Sequence, residues 1–488
     1  MSETAANRFT EDQPLKIVGS NKFGRFPKQS SEQTWNMIIS DDWLVPFGGW
    51  EPTNVINPTG EGRGIITSTK FQKLYFVIDD NFYSRDPSGS VNILGQLHTY
   101  SNDVFFTENN VGEVIFTDEQ NLYVYNVNTN NFTVLTAAQL GFTPGYLTFQ
   151  NGRVVSPDLA TNKFRLSSDT TATIWLPDAQ HVGAIETKPT LARACLRMPG
   201  RGNMLLVMGI TVTELYQDVG SPLFPYQRNQ SVNVDYGIAN AATLASLENF
   251  AMWVAINEQA GPALMYFSGE GIKKISTDGI DYVLAQLKDP TASYAFMVRL
   301  SGHICYIVTF VTDNITYLYD FNTSSFFSLC DENMNAFIVK RVAFFQGDYY
   351  FVSLNDGNLY RLASDLFSYN YGNGKEFEIP MIRITNNFSM PDQSRFIVDY
   401  AGFTLQQGSF PFDYPKDDFI PRIDMSVSID GGVNFSNYVP LTLRPQGIRK
   451  NRVMAYNVGS SNDFTFQYRF YSMRAPFVAY DGVMGIRL

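Results

Sequence analysis

The sequence has few of the residues and motifs that usually carry chemistry. Among 488 residues there are three histidines, His98, His181 and His303, and none stands at a ligand spacing from another histidine or a cysteine pair. The three cysteines, Cys195, Cys305 and Cys330, are odd in number, far apart and without a C-x-x-C pair, which argues against a disulfide framework and for a reducing compartment. Cys305 lies two residues from His303, on one face of a strand, but a metal there would lack two further ligands, so HICYIV is expected to be buried strand. No G-x-S-x-G or H-E-x-x-H run occurs. GEGRG, Gly60 to Gly64, lacks the strand-to-helix setting of a phosphate loop and reads as a flexible turn. The sequence therefore assigns no catalytic, cofactor-binding or metal-ligating residue, and no cofactor.

Charge is scarce as well. Asp, Glu, Lys and Arg make up 17% of the chain, against about a quarter in ordinary globular proteins. Lys and Arg number 36 against 47 Asp and Glu, a net of -11. The one basic-leaning stretch, RPQGIRKNR from Arg444 to Arg452, reads as a solvated loop. Tight nucleic-acid binding needs clustered cations to release phosphate counterions, and these are missing; a surface that DNA slides past without sticking remains compatible. Apolar runs such as HICYIVTFV stop at nine residues, far short of the ~20 a spanning helix needs. The opening, MSETAANRFTEDQPLK, has no apolar signal core. A soluble protein made in a cytoplasm is expected.

What the chain does have is aromatics: 39 Phe and 27 Tyr, with Phe, Tyr and Trp at 15%, a composition that favours strands. It also repeats itself. NLYVYNVNTNNF, Asn121 to Phe132, returns as TYLYDFNTSSF, Thr316 to Phe326. Each reads as a strand, a turn of Asn, Asp, Thr and Ser whose side chains bond their own backbone, and an aromatic opening the return strand. A second frame, an acidic turn followed by Asn, an apolar residue and Tyr, recurs in DDNFYSR, EQNLYVY and DGNLYRL, each after an apolar strand. The first two copies are 40 residues apart, the period of a four-stranded propeller blade. Looser versions fill Gly152 to Ser168, Asn203 to Asp218, Phe250 to Ser276 and His303 to Phe321.

Roughly six or seven such units lie between about residues 60 and 370, and the expected fold is an all-β propeller of about six blades. Pro225 to Phe250 lacks clean alternation and reads as an inter-blade excursion. TDGIDYVLAQL, Thr277 to Leu287, puts Ile280, Val283, Leu284 and Leu287 at helical spacing. After the Gly- and Asn-rich YNYGNGKE, Tyr369 to Glu376, longer alternating strands predict a C-terminal β-sandwich or barrel. The expected layout is an N-terminal arm over 1–40, the propeller over 41–375 with its excursion near 225–250, and a C-terminal β domain over 376–488.

One stretch suggests carbohydrate chemistry. SIDGGVNF, Ser428 to Phe435, is similar to the Asp-box hairpin of sialidase-type propellers, in which Asp430 would tie down its own turn and Phe435 would pack beneath. That box is structural and occurs once here, outside the repeats. A glycan-binding or glycan-hydrolysing propeller is the alternative reading, and it requires paired carboxylates on one propeller face.

Several segments in order resemble the tail-hub, or packaged-DNA stabilization, proteins of short-tailed bacteriophages, whose tubular form is also called the nozzle. SSEQTWNMIISDDWLVPFGGWE places Asn36-Met37 and Leu44 to Trp50 where that family opens. RMPGRGNMLLVMG and TVTELYQDVGSPLFPYQRNQSVNVDYGIA match its middle strands and Gly loops. AMWVAINEQAGPALMYFSGEGIKKIST matches a strand, a Gly-Pro loop and a strand ending in Ile-Ser, and SMRAPFVAYDGVMGIRL its close. The likeness runs from about Gly19 to Leu488 and departs at the insert Gly408 to Arg422. It implies a non-enzymatic virion protein that forms a homo-oligomeric ring, usually a hexamer, below the portal and its adaptor (the head-to-tail connector). DNA passes through the channel without sequence-specific binding, spikes or fibres attach outside, and a needle or plug is received. Localisation in the virion tail, after assembly in the host cytoplasm, follows from the same likeness.

Overall fold

The computed structural model describes residues 10–23, 32–269, 271–407, 422–443, 450–471 and 477–488. Its architecture follows from the two-residue period of a strand. Along Lys73–Ile78, Tyr75 and Val77 point to one side and meet Val114, Phe116 and Tyr123 of the next sheet. Leu74, Phe76 and Ile78 point to the other and meet Tyr350, Val352 and Leu359. A strand buried on both faces must be apolar at nearly every position, which is why KLYFVI, EVIFT, MLLVMG and FAMWVA show little polar alternation. The same division recurs at every sheet. Leu205 and Val207 pack backward and Leu206 and Met208 forward, while Tyr306 and Val308 pack backward and Cys305 and Ile307 forward.

Seven four-stranded blades result, one more than the six expected. Blade 1 runs from Gly62–Ser68 to Val91–Gln96, blade 2 from Phe105–Glu108 to Asn131–Thr136, and blade 3 from Thr148–Gln150 to Val182–Ala184. Blade 4 runs from Ala192–Arg197 to Tyr226–Val234, blade 5 from Ala245–Leu247 to Ile272–Lys274, and blade 6 from Ser293–Leu300 to Ser325–Leu329. Blade 7 takes Val339–Phe345, Asp348–Ser353 and Gly357–Ala363 from late in the chain and its fourth strand, Gly49–Asn57, from the beginning. The count came out low because that blade is split between the two ends of the repeat. Its closing strand lies about 300 residues from its partner, with Leu362 opposite Trp50, and no local pattern links them.

The segment expected as an excursion is also repeat. Tyr226–Val234 pairs with Thr213–Asp218 as the outer strand of blade 4, through a bulge between Glu214 and Tyr216 that breaks the alternation in the sequence. GEGRG is likewise more than a turn. Gly62 begins the inner strand of blade 1, where a Cβ would lie 2.4 Å from Val352 of blade 7. Gly64 sits as close to the Val104 carbonyl at the entrance of blade 2. These two positions let three blades converge. The helix predicted after blade 5 spans Asp278–Ala285 and buries Ile280 and Leu284.

Both repeated phrases resolve into side-chain locks on hairpins. In blade 2 Asn126 Oδ1 accepts from the amides of Asn128 and Thr129, Asn130 adopts φ 54°, and Tyr125 stands opposite Phe132. In blade 6 Asp320 accepts from the Asn322 amide, Ser324 adopts φ 52°, and Tyr319 stands opposite Phe326. In two of the three copies of the other frame the tyrosine hydroxyl returns to the turn acid. Tyr123 donates to Asp118 at 2.7 Å and Tyr360 to Asp356 at 2.6 Å.

The C-terminal strands form a two-sheet sandwich. One sheet holds Lys450–Ser461, Phe396–Gln407 and Phe477–Arg487, and the N-terminal strands Trp43–Pro46, Met37–Ser40 and Glu11–Leu15 join it. The other holds Met381–Ile384, Asp463–Tyr471, Arg422–Ser428 and Val439–Leu441. Phe403, Phe466, Tyr468, Phe470 and Met484 fill the space between them. Gln33–Trp35 connects this second sheet to blade 6, antiparallel to Met381–Ile384 and parallel to Ser325–Leu329, so blade and sandwich share one continuous sheet of ten strands. The insert from 408 to 421 and the basic stretch from 444 to 449 lie outside the described residues.

Candidate functional site: the propeller axis and the seam with the sandwich

The inner strands of the blades converge on an axial cavity of about 170 Å³ walled by Ile65, Phe105, Phe106, Tyr146, Phe296 and Arg341. The inner-strand side chains narrow the axis here to a space far too small for a DNA duplex.

Cations sew the entrance of that axis together. Arg63 is fully buried and donates to the backbone carbonyls of Asp79, Thr99 and Asn102 at 2.7–2.8 Å. Burial lowers its pKa, and the Asp118 carboxylate opposes that shift. Lys340, 4% exposed, meets Glu61 at 2.6 Å and Asp103 at 3.5 Å. Arg341 donates to the carbonyls of Ala242 and Ala295, both at 2.7 Å, and approaches Asp103 at 3.6 Å. All three side chains are engaged by neighbouring blades and turned away from solvent, so they offer nothing to a phosphate backbone.

The seam between propeller and sandwich is held by two large side chains. Trp50, on the closing strand, is fully buried, stacked on Tyr369 at 3.7 Å and met edge-on by Phe337 and Phe351. Arg383, also fully buried, donates to the Ile17 carbonyl at 2.7 Å and the Thr34 hydroxyl at 3.1 Å and pairs with the carboxylate of Glu32. It fixes the N-terminal segment to the sandwich.

The histidines fall in unrelated places. His98 is exposed, and His181 pairs with Asp178 at 2.5 Å in blade 3. His303 is buried at the seam. Its Nδ1 is 2.9 Å from Asp320 Oδ2 and its Nε2 is 3.1 Å from Ser40 Oγ. Cys305 faces the cluster between blades 6 and 7 and is shut off from solvent; burial raises its thiol pKa well above the ordinary range. Among the described residues no group of three or more His, Cys, Asp or Glu is placed to hold a metal ion. No pattern in the sequence points to the Ser40, His303 and Asp320 alignment, because 263 residues separate the first two and no motif surrounds either.

The Asp-box-like hairpin forms in the sandwich, away from the propeller. Asp430 Oδ1 accepts from the amides of Val433 and Asn434 and from the Ser428 hydroxyl. The Asn434 amide, then the Ser428 hydroxyl, pull its pKa down to about 2. Phe435 is half-buried. The carboxylate is spent on its own turn, and the hairpin that motivated a glycan enzyme does not reach a propeller face.

The charge is unevenly divided. Residues 1–375 hold 25 Lys and Arg against 36 Asp and Glu, and residues 376–488 hold 11 of each. The whole excess of -11 belongs to the propeller and the N-terminal segment. Between Arg85 and Arg153 there is no Lys or Arg at all, which leaves blade 2 without a cation.

Among solved structures the chain is similar to a streptogramin B lyase, at 16% identity over 66% of this chain and 99% of that one, with a TM-score of 0.44. It is similar to a catalytically inactive virginiamycin B lyase from Staphylococcus aureus at 14% identity, over 64% and 98%, with a TM-score of 0.43. It is similar to the N-terminal domain of Nup159 at 10% identity, over 68% and 98%, with a TM-score of 0.41. Nothing of the lyases' chemistry follows for this chain. No curated protein matches it. The phage stabilisation family model, described as bacteriophage P22 Gp10, beta-propeller, matches residues 30–336, from the N-terminal strands through the end of blade 6, and stops short of the sandwich. With a seven-bladed propeller in place and well over half of its length matched, the chain belongs to this phage stabilisation family of β-propeller proteins, whose part in the phage tail is structural.

Proposed function

We propose that this chain is the ring-forming hub, or nozzle, of a short phage tail. Six copies stand below the portal adaptor, enclose the DNA exit channel between them, help retain packaged DNA and present outer surfaces to spikes or fibres. The observation that carries this reading is the narrow axis of a propeller within the phage family, too small for a duplex. If DNA passes this protein, it passes between copies and not through one. A rigid wedge with unlike sides suits head-to-tail contacts that close into a ring. Six copies at -11 each total about -66, a field that repels the DNA backbone, and blade 2 has no cation with which to hold it.

The test is assembly. Purified full-length protein is mixed with the adaptor ring and imaged by negative stain, with mass photometry alongside. A closed ring with an open bore, docked on the adaptor and showing no retention of duplex DNA at low salt, is expected. A chain that stays monomeric and ignores the adaptor would overturn the reading, as would tight DNA binding with a steep salt dependence.

A further inference from the structure

We propose that Ser40, His303 and Asp320 form a serine-nucleophile centre at the seam between blade 6 and the sandwich, able to accept an acyl group from a small neutral or cationic ester. The tail role does not require this activity. The three groups lie in one hydrogen-bonded line, Asp320 Oδ2 to His303 Nδ1 at 2.9 Å and His303 Nε2 to Ser40 Oγ at 3.1 Å. They come from different elements: Ser40 ends Met37–Ser40 of the N-terminal hairpin, His303 begins His303–Phe310, and Asp320 ends Ile315–Asp320.

Proton placement follows from the partners. Asp320 is fully buried and also accepts from the Asn322 amide and the Thr323 hydroxyl, both at 2.9 Å. A carboxylate held this way can only accept, so the imidazole proton sits on Nδ1. Nε2 then offers its lone pair to the Ser40 hydroxyl, the polarity of a general base oriented by an acid. With the imidazole 7% exposed, its orientation is fixed by packing.

Ser40 also stands at a strained corner. The next two residues, Asp41 and Asp42, adopt φ of 49° and 63° in a two-residue hairpin closed by Ser40 opposite Trp43, a geometry normally given to Asn-Gly or Gly. Among the described residues the amides of Asp41 and Asp42 donate to no acceptor, so they are available to the oxygen of a tetrahedral intermediate. Their exposed carboxylates repel anions, which sets the substrate class. In the reaction Ser40 Oγ bonds to the ester carbonyl carbon while its proton passes to His303 Nε2. The carbon–oxygen bond to the alcohol breaks as Nε2 returns the proton to it. Water then repeats the sequence on the acyl-serine, releasing the carboxylic acid and restoring Ser40.

The test uses the full-length protein with an uncharged fluorophosphonate probe, read by intact mass and peptide mapping. One adduct on Ser40 is expected, abolished by Ser40→Ala at an unchanged melting temperature and slowed at least about 100-fold by His303→Gln. Asp320 acts as a positioning residue. A downfield Nδ1 proton resonance should be present in the native protein and absent in Asp320→Asn. The double change Asp41→Asn and Asp42→Asn should leave labelling by the uncharged probe little changed and speed labelling by an anionic one. Folded protein that takes up no probe, or labelling that persists in Ser40→Ala, overturns the proposal whether or not the ring assembles.

Discussion

Arg383 shows what a single buried charge does here. With no surface exposed, it relies on the Glu32 carboxylate, the Thr34 hydroxyl and the carbonyls of Ile17 and Gln33 for its compensation. Removing one partner of such a pair leaves the other charge stranded at a cost of about 3–5 kcal/mol. Arg383→Met alone is therefore expected to lower the denaturant midpoint sharply, and Arg383→Met with Glu32→Gln to recover part of the loss. Asp430 provides a test of opposite character. Its folded pKa lies below the ordinary carboxylate value of about 3.9, near 2. Its stabilising effect is thus complete above the ordinary value and lost as pH falls through 2. Amide exchange at Val433 and Asn434 should stay protected at pH 4 and open below pH 2. At this scale the sequence was unevenly legible. Asp430 could be read from SIDGGVNF because its partners are local. Arg63 looked like part of a loose turn, and Arg383 and the line from Asp320 to Ser40 left no trace, because their partners come from far along the chain.

Elements were more legible, because a hairpin carries its own instructions. The two copies of the NLYVYNVNTNNF phrase occupy the same place, the turn before the outer strand, in blades 2 and 6. The acid–Asn–apolar–Tyr frame marks the preceding turn in blades 2 and 7. In both, the tyrosine hydroxyl donates to a carboxylate, a bond worth about 1.5–3 kcal/mol. Tyr123→Phe and Tyr360→Phe are each expected to cost about that much in urea unfolding, with little change in the slope, since no surface is newly exposed. Two elements escaped. Tyr226–Val234 hid behind a bulge, and Gly49–Asn57 sits where a linker would, ahead of the first recognisable repeat.

For the whole molecule, closure decides stability. Gly49–Asn57 seals blade 7, and Trp50 on it sits in an aromatic cage at the seam. Trp50→Ala should cost about 3–5 kcal/mol. Deleting residues 1–57 should do more. It removes the seal, leaves the bare edge of Gly357–Ala363 open to other chains, and strips the strands that tie blade 6 to the sandwich. The expected outcome is aggregation, seen as material in the void volume on size exclusion. The propeller class was legible from the 40-residue spacing, while the blade count and the coupling to the sandwich were not, since both depend on contacts between the beginning and the end of the chain.

That closing strand also bears on how the protein is made. Residues 49–57 leave the ribosome before any blade exists, yet their partner is finished only with Ala363. Until then the earliest segment must remain unpaired while six blades assemble behind it. Synthesis that stalls or terminates early should therefore yield an open fan of sheets with a sticky margin, a natural client for chaperones and proteases, and only a completed chain can lock itself shut.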